Sequence, residues 1–302
     1  MANRFVSIGE CMIEMSGGED RLYRLGYAGD TLNTAWYMRA LLGEDWSVDY
    51  FTGLGEDKYS GDIRAFLDTN NIGTSHIRTV PGRRPGLYLI HQEKGDRHFT
   101  YWRDTSAAKL LADDKDALAA AVDGASMVYF SGITLAILAP RARGRLLGAI
   151  VKARDAGAKV VFDTNIRPAL WTSPRVMTAV LTAAATMCDI VLPTHGDEAP
   201  LFGDKNVDDT ADRYLELGVE EVVVKDGAGE ALIATASERV KVAPKPGATV
   251  VDATGAGDSF NGAYLSARLA GKSLREAAEA AHRVAGVVIG QKGALVDPKL
   301  LQ

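Results

Sequence analysis

The stretch Ala248 to Gly271, ATVVDATGAGDSFNGAYLSARLAG, decides the reading of this chain. Thr249 to Val251 are β-branched and read as a β segment. They give way to a glycine-punctuated turn, Thr254-Gly255-Ala256-Gly257, and then to an apolar helix opening at Asp258. Glycines there let successive backbone N–H groups converge on one point, and a helix N-terminus adds about half a positive charge. The turn is an anion cradle with one carboxylate, Asp258, beside it. Phosphoryl transfer needs that pair: donors for charge on the moving group, and an acceptor for a hydroxyl proton. Taken alone, the same residues read equally well as a capped helix entry. No Gly-Lys-Ser/Thr follows, so this is not a P-loop. Phe260 stands where a dinucleotide fingerprint has its third glycine.

The rest of the composition narrows the class. At 302 residues, 47% hydrophobic and 24% charged, the chain has the balance of a soluble globular protein with a large core. A net charge of −5 without a long basic run argues against nucleic acid as a partner. The opening MANRFVSIGE lacks a signal-peptide core, and no apolar run approaches the ~18 residues of a membrane span, so neither export nor a membrane partner is expected. Cys11 and Cys188 lie far apart and read as buried free thiols of a reducing cytoplasm, the expected location. The five histidines are scattered and form no H-x-x-x-H pattern, which argues against zinc.

Short apolar strands alternate with amphipathic helices. Strands are expected at Phe5–Ile8, Ser47–Thr52, Met127–Ser131, Lys159–Asp163, Ile190–Pro193 and Val222–Lys225. Helices are expected at Thr31–Leu42, capped by Asp30, and at Tyr59–Asn70, Arg141–Ala156 and Thr210–Leu217. Val128–Ile133 and Lys159–Asn165 are apolar rather than alternating, as buried parallel strands are. The expected fold is a three-layer α/β domain over 1–302, with a mostly parallel sheet flanked by helices. Two regions break the alternation, about 11–27 and 86–103. The second reads as a hairpin, GLYLIHQ and RHFTYW about a turn at Glu93-Lys94-Gly95-Asp96. Together they suggest a small antiparallel sheet serving as a lid, which a kinase needs to exclude water as phosphoryl acceptor.

Further groups fall at strand ends, where open α/β sheets bind ligands. Gly29 permits close backbone approach, while Asp30 and Asn33 suit sugar hydroxyls. Arg167, in Asp163-Thr164-Asn165-Ile166-Arg167-Pro168, is placed to clamp a carboxylate or phosphate. Period-2 alternation puts Tyr101 and Arg103 on one face of the hairpin, with Tyr88 on the partner strand, a set suited to an anionic polyol. Each group alone reads equally as turn, cap or surface pair.

In order along nearly the whole chain, GDTLN, the lid hairpin, D-x-N-x-R, VVVKDGAG and D-x-TGAGD resemble the ribokinase-like (PfkB) carbohydrate kinases. The strings VSIGECMIEMS, GDTLNTAWY, PGLYLI, FTYWR, FSGITLAIL and DTNIRPALW resemble those of members that phosphorylate the 6-hydroxyl of 2-keto-3-deoxy sugar acids. The resemblance implies ATP and Mg2+ as cofactors, with K+ as a further candidate. It implies that Asp258 is the catalytic base and that Gly255, Ala256 and Gly257 form the anion hole. It implies sugar contacts from Gly29, Asp30 and Asn33, and contacts to the keto-acid end from Tyr88, Tyr101, Arg103 and Arg167. Asn165, Arg167, Lys225, Gly227, Gly229, Gly255, Gly257 and His282 would line the ATP site, with His282 to Gly286 beside adenine. The family's N-x-x-E pattern appears here as Thr194-His195-Gly196-Asp197-Glu198, so Asp197 or Glu198 would meet Mg2+ through water. Asp252 matches a position near a monovalent cation. Lid strands of such kinases often pair between subunits, which implies a homo-oligomer.

Two physical points accompany these roles. Only a site with paired cations should prefer a sugar acid over a neutral sugar, and Arg103 and Arg167 supply them. A helix N-terminus should lower the Asp258 pKa and leave a weak base, which a loose phosphoryl-transfer transition state tolerates. Three other readings are a fructokinase-like or ribokinase-like sister, a nicotinamide-dependent oxidoreductase and an inactive relative. Gly9-Glu10-Cys11 gives the second no fingerprint, and the intact Asp258 counts against the third.

Overall fold

A computed structural model describes residues 3–17, 22–93, 96–247 and 249–301. In chain order the elements are β1 (Asn3–Ile8), β2 (Met12–Gly17), β3 (Tyr23–Ala28), α1 (Asp30–Leu41), β4 (Trp46–Phe51), β5 (Gly53–Leu54), α2 (Lys58–Thr69), β6 (Arg78–Thr79), β7 (Gly86–Glu93) and β8 (Asp96–Trp102). There follow α3 (Lys115–Val122), β9 (Met127–Ser131), α4 (Gly132–Ile137), α5 (Pro140–Asp155), β10 (Lys159–Asp163), α6 (Pro174–Ala185), β11 (Ile190–Val191) and α7 (His195–Phe202). The chain ends through α8 (Val207–Glu216), β12 (Glu221–Val224), β13 (Ala231–Thr235), β14 (Arg239–Val242), α9 (Ala256–Leu269) and α10 (Leu274–Ile289).

The main sheet has the order β14-β13-β12-β11-β10-β9-β1-β4. Pairs from β4 through β12 are parallel, and β13 and β14 add an antiparallel edge. Alternate residues of its strands feed two cores. Val6, Phe130, Phe162 and Val222 pack with Leu118, Leu146, Leu181 and Tyr214 on one side. Phe5, Tyr129, Val161 and Val223 pack with Leu32, Leu67, Tyr264 and Val284 on the other. Both sheet faces are covered, which is why the central strands are apolar at nearly every position. The carboxyl ends of β1, β9, β10, β11 and β12 converge on one edge.

A second sheet, β3-β2-β7-β8, stands apart from the first. It differs from the antiparallel expectation in one pair: β2 and β7 run parallel, while the outer pairs are antiparallel. Residues 18–21 of the expected lid, and Lys94 and Gly95 of its expected turn, lie outside the described residues. Met12, Ala28, Tyr88 and Ile90 of this sheet form a small core with Ala294.

Two local expectations need correction. Thr249 to Val251 form no strand: Val250 and Val251 are exposed, and the Val251 and Asp252 amides donate to the Ile289 carbonyl at the end of α10. Their β-propensity has no neighbouring strand to satisfy, and the loop runs instead against a helix terminus. Asp30 is the first residue of α1 rather than its cap. Gly29 takes the cap position, and a Cβ there would stand 2.1 Å from the Glu10 carbonyl oxygen.

Candidate active site

A cavity of about 950 Å3 lies over the converging strand ends, between the main sheet and the inner face of the second sheet. The N-terminus of α9 forms part of its wall. Gly255, the cap residue of α9, has φ 76°, and a Cβ on it would stand 2.8 Å from the Ala294 carbonyl oxygen. Only glycine fits that turn without displacing backbone. Gly257 differs: a Cβ there meets nothing within 4 Å, so its side faces open cavity. Asp252 fastens the turn, because its two carboxylate oxygens accept from the Thr254 amide (2.9 Å) and the Gly293 amide (2.7 Å). The helix opens at Ala256, two residues earlier than expected, which leaves Asp258 within its first turn.

Asp258 accepts a hydrogen bond from Asn33 Nδ2 at 2.7 Å. Its carboxyl pKa is pushed up to about 8, first by burial and then by the negative charge of Asp30, with Asp163 adding and Asn33 and Lys225 opposing. This corrects the expectation of a lowered pKa. The helix terminus and the Asn33 donor do favour the anion, but desolvation and two neighbouring carboxylates outweigh them. Burial also raises the Asp30 carboxyl. Asp30 accepts from Asn165 Nδ2 at 2.8 Å, and Asn165 holds φ 29°, a left-handed conformation that asparagine tolerates better than most residues.

Behind these groups runs a buried polar network. Lys225 Nζ donates to Asp163 Oδ1 (3.2 Å) and Asn261 Oδ1 (2.9 Å), and Asn261 Nδ2 donates to Asp163 Oδ2 (2.8 Å). Lys225 therefore faces the cavity with two of its donors already engaged.

At the other end of the cavity, Tyr88 and Tyr101 are directly opposed on β7 and β8 with ring centroids 5.7 Å apart. The Tyr88 hydroxyl donates to Glu14. The Arg103 guanidinium lies 5.7 Å from the Tyr101 ring centroid, on the face that the alternation implied. Arg103 Nη2 donates to Glu10, a carboxylate only 1% exposed that also accepts from Ser106 Oγ at 2.5 Å. Arg103 is thus a neutralised cation rather than a free one. Arg167 is the freer of the two. Its side chain is 52% exposed, with one Nη1 contact to the Ile166 carbonyl (2.7 Å) and a longer one to Asp197 (3.4 Å).

This arrangement sets a carboxyl group beside an anion cradle, with a cationic and aromatic wall across the cavity. The sequence signature described as pfkB family carbohydrate kinase matches residues 2–299. The chain belongs to the pfkB family of carbohydrate kinases. It is 39% identical over 304 residues to 2-dehydro-3-deoxygluconokinase of Escherichia coli strain K12, covering 98% of each chain. Its fold is similar to that of a PfkB protein from Polaromonas sp. JS666, with a TM-score of 0.84 and 25% identity over 100% of this chain and 99% of the other. A putative ribokinase II from E. coli superposes with a TM-score of 0.85 at 22% identity, over 98% of this chain and 95% of the other.

In this pfkB-family kinase the cavity gathers Gly29, Asp30, Asn33, Tyr88, Tyr101, Arg103, Asn165, Arg167, Asp197, Lys225, Gly227, Asp252, Gly255, Ala256, Gly257, Asp258 and His282. Of the stretch His282 to Gly286, His282 and Ala285 line it and Gly286 does not, and two further candidates stay outside it. Glu198 is fully buried and accepts from Arg213 Nη2 and the Tyr214 hydroxyl, both at 2.9 Å, so it is withdrawn from any metal in the cavity. Gly229 instead closes a tight turn, its amide donating to the Asp226 carbonyl at 2.7 Å. His282 Nε2 donates to the Val242 carbonyl (2.9 Å) and its ring meets Phe260 edge-on at 5.1 Å. Burial lowers its pKa, which favours the neutral ring. Among the described residues no group of three or more His, Cys, Asp or Glu side chains is placed to hold a metal, and no helix is long and apolar enough to cross a membrane.

Glu10, Asp163 and Asn261 were not singled out from the sequence. A signal existed for two of them: Asp163 ends a wholly apolar strand, and Asn261 stands three residues after Asp258 on the same helix face. Glu10 carried none.

Proposed function

We propose that this chain transfers the terminal phosphoryl group of ATP to the 6-hydroxyl of 2-keto-3-deoxygluconate, giving the 6-phosphate and ADP. The observation that carries the reading is Asp258 beside the α9 N-terminus, in a cavity of about 950 Å3 that has room for a nucleotide and a sugar acid. The identity to 2-dehydro-3-deoxygluconokinase over nearly the whole chain supports the substrate.

In this reading ATP supplies the phosphoryl group and the leaving ADP. Asp258 accepts the proton of the 6-hydroxyl as the new P–O bond forms and the old one breaks. A carboxyl held near 8 is a stronger base than an ordinary aspartate, at the expense of being largely protonated at neutral pH before substrate binds. The Gly257 amide, in the first turn of α9, faces charge developing on the transferred group, while the Ala256 amide is engaged by the Ala253 carbonyl at 3.2 Å, and Lys225 lends its field. Arg167 and the Arg103–Glu10 pair hold the keto-acid end, with Tyr88 and Tyr101 as the wall. Gly227, with φ 55°, and His282 are assigned to the nucleotide side.

Mg2+ would be held mainly by ATP oxygens and water, as it commonly is, with Asp197 as the cavity carboxylate nearest that role. Asp252 is the carboxylate assigned to a monovalent cation such as K+, which would share oxygens that already accept from two amides. The second sheet acts as the lid. Its outer face carries Tyr23, Leu25 and Trp102, each 39% exposed or more, and is assigned to pairing with a second copy. Two buried unpaired cysteines suit a cytoplasmic location.

One observation favours a second reading, a kinase for a neutral sugar: Glu10 already neutralises Arg103. The first test is Asp258→Asn. ATP-dependent ADP release in the presence of the keto acid should fall by ~10²–10⁴-fold while ATP still binds. Retained turnover would remove Asp258 as the base.

A further inference from the structure

Asn33 was expected to meet the sugar, yet its side chain is spent inside the protein. It is 5% exposed. Its Oδ1 accepts from the Gly29 amide at 3.3 Å, and its Nδ2 donates to Asp258 Oδ2 at 2.7 Å. The Gly29 contact fixes which way the amide points. A backbone N–H can only donate, so Oδ1 must face it and the NH2 group must face the carboxylate. We propose that Asn33 is a positioning residue for Asp258: it holds the carboxylate in one rotamer, with Oδ2 occupied and Oδ1 left for the attacking hydroxyl.

The packing of two helices makes this reach possible. A Cβ at Gly262 on α9 would stand 2.6 Å from Tyr37 Cβ and 3.1 Å from the Thr34 carbonyl oxygen on α1. The helices approach this closely because residue 262 has no side chain. The same approach lets Thr34 Oγ1 donate to the Asp258 carbonyl at 3.4 Å. The first turns of α1 and α9 are thus tied by a side-chain contact and a backbone contact, and Asn33 is the one that touches the reacting carboxylate.

The pH dependence of Asp258 is set by everything that faces it. Asp30, Asn33 and Tyr37 come from α1, Tyr129 from β9, Asp163 from β10, and Lys225 from the end of β12. Asn33 is the hydrogen-bond donor in that set, and it stabilises the ionised form. Removing it should leave a base that ionises only at higher pH and samples more than one rotamer.

The inference rests on Asp258 as the base of the proposed reaction, so its test includes a readout independent of turnover. Asn33→Leu keeps nearly the same shape and removes the donor. The Asp258 carboxyl is titrated by 13C NMR in wild type and variant, assigned by its loss in Asp258→Asn. In parallel, kcat and KM for 2-keto-3-deoxygluconate are followed against pH. The expected result is a titration moved to higher pH by about one unit or more. kcat should fall ~10–100-fold, its acidic limb should move with the titration, and the KM for the sugar acid should change by less than about threefold. An unmoved titration overturns the proposal, whatever the activity. So does a KM raised about tenfold with an unmoved acidic limb, the mark of a sugar contact. If wild type lacks the proposed activity while the titration still moves, the positioning role stands and the proposed reaction falls.

Discussion

The Arg103 guanidinium donates to Glu10, which is 1% exposed and also holds Ser106. In the proposed reading this pair divides the labour at the keto-acid end. A buried carboxylate pairs with one of the two cations, so in the proposed reading the positive charge offered to a sugar acid comes mainly from Arg167, whose own contact to Asp197 is longer, at 3.4 Å, and exposed.

Arg167→Gln should therefore raise the KM for the keto acid ~10–100-fold, the effect of losing one charge-assisted contact, and leave a neutral sugar nearly unaffected. Arg103→Gln should differ in kind. It strands Glu10 in a buried site, so its melting temperature should fall as well as its activity. Steady-state kinetics and thermal melts on both variants check this. Equal melting temperatures would show that the Glu10 pair contributes nothing to the fold.

The two glycines of the anion turn should separate stability from nucleotide affinity. Gly255→Ala forces φ 76° on alanine and drives its Cβ into the Ala294 backbone, so the protein should melt several degrees lower. Gly257→Ala meets no protein atom within 4 Å. It should melt like wild type but show a raised KM for ATP, because its methyl group occupies the approach to the cradle.

Asp258→Asn should be more stable than wild type at neutral pH. The folded carboxyl titrates near 8 against an ordinary value of 3.8. Below about pH 4 the acid is protonated in both states and nothing separates the two proteins. As pH rises towards 8 only the unfolded chain ionises, which draws the wild type towards unfolding, and above 8 the difference levels off. Melting curves from pH 4 to 9 should show the variant's advantage growing and then flattening. A constant difference would contradict the raised pKa.

The outer face of the second sheet offers a fourth check. Trp102→Glu, at a position 58% exposed, should leave the monomer folded but lower the mass measured by light scattering. An unchanged mass would remove this face as the contact between copies.

The main sheet was legible because buried parallel strands are apolar in unbroken runs. Met127–Ser131 and Lys159–Asp163 were placed to the residue. Thr249–Val251 misled, since β-branched residues only make a strand where a neighbouring strand exists. The candidate site was legible as a set of residue types at strand ends, and nearly all of them do meet in one cavity. What the sequence did not carry was who partners whom. Glu10 reaching Arg103, Asn33 reaching Asp258, and Arg213 holding Glu198 away from the cavity span 93, 225 and 15 residues respectively. The pKa of Asp258 was misjudged for the same reason: the helix terminus is local and readable, whereas Asp30 and Asp163 arrive by tertiary packing.

The most direct measurement is kcat/KM for ATP-dependent ADP release with 2-keto-3-deoxygluconate, fructose and ribose, on one preparation at one pH. The keto acid should exceed both neutral sugars by ~10²-fold or more, the selectivity available from charge-assisted recognition of its carboxylate. Fructose or ribose turned over faster than the keto acid would contradict the sugar-acid assignment and leave a neutral-sugar kinase of the same family.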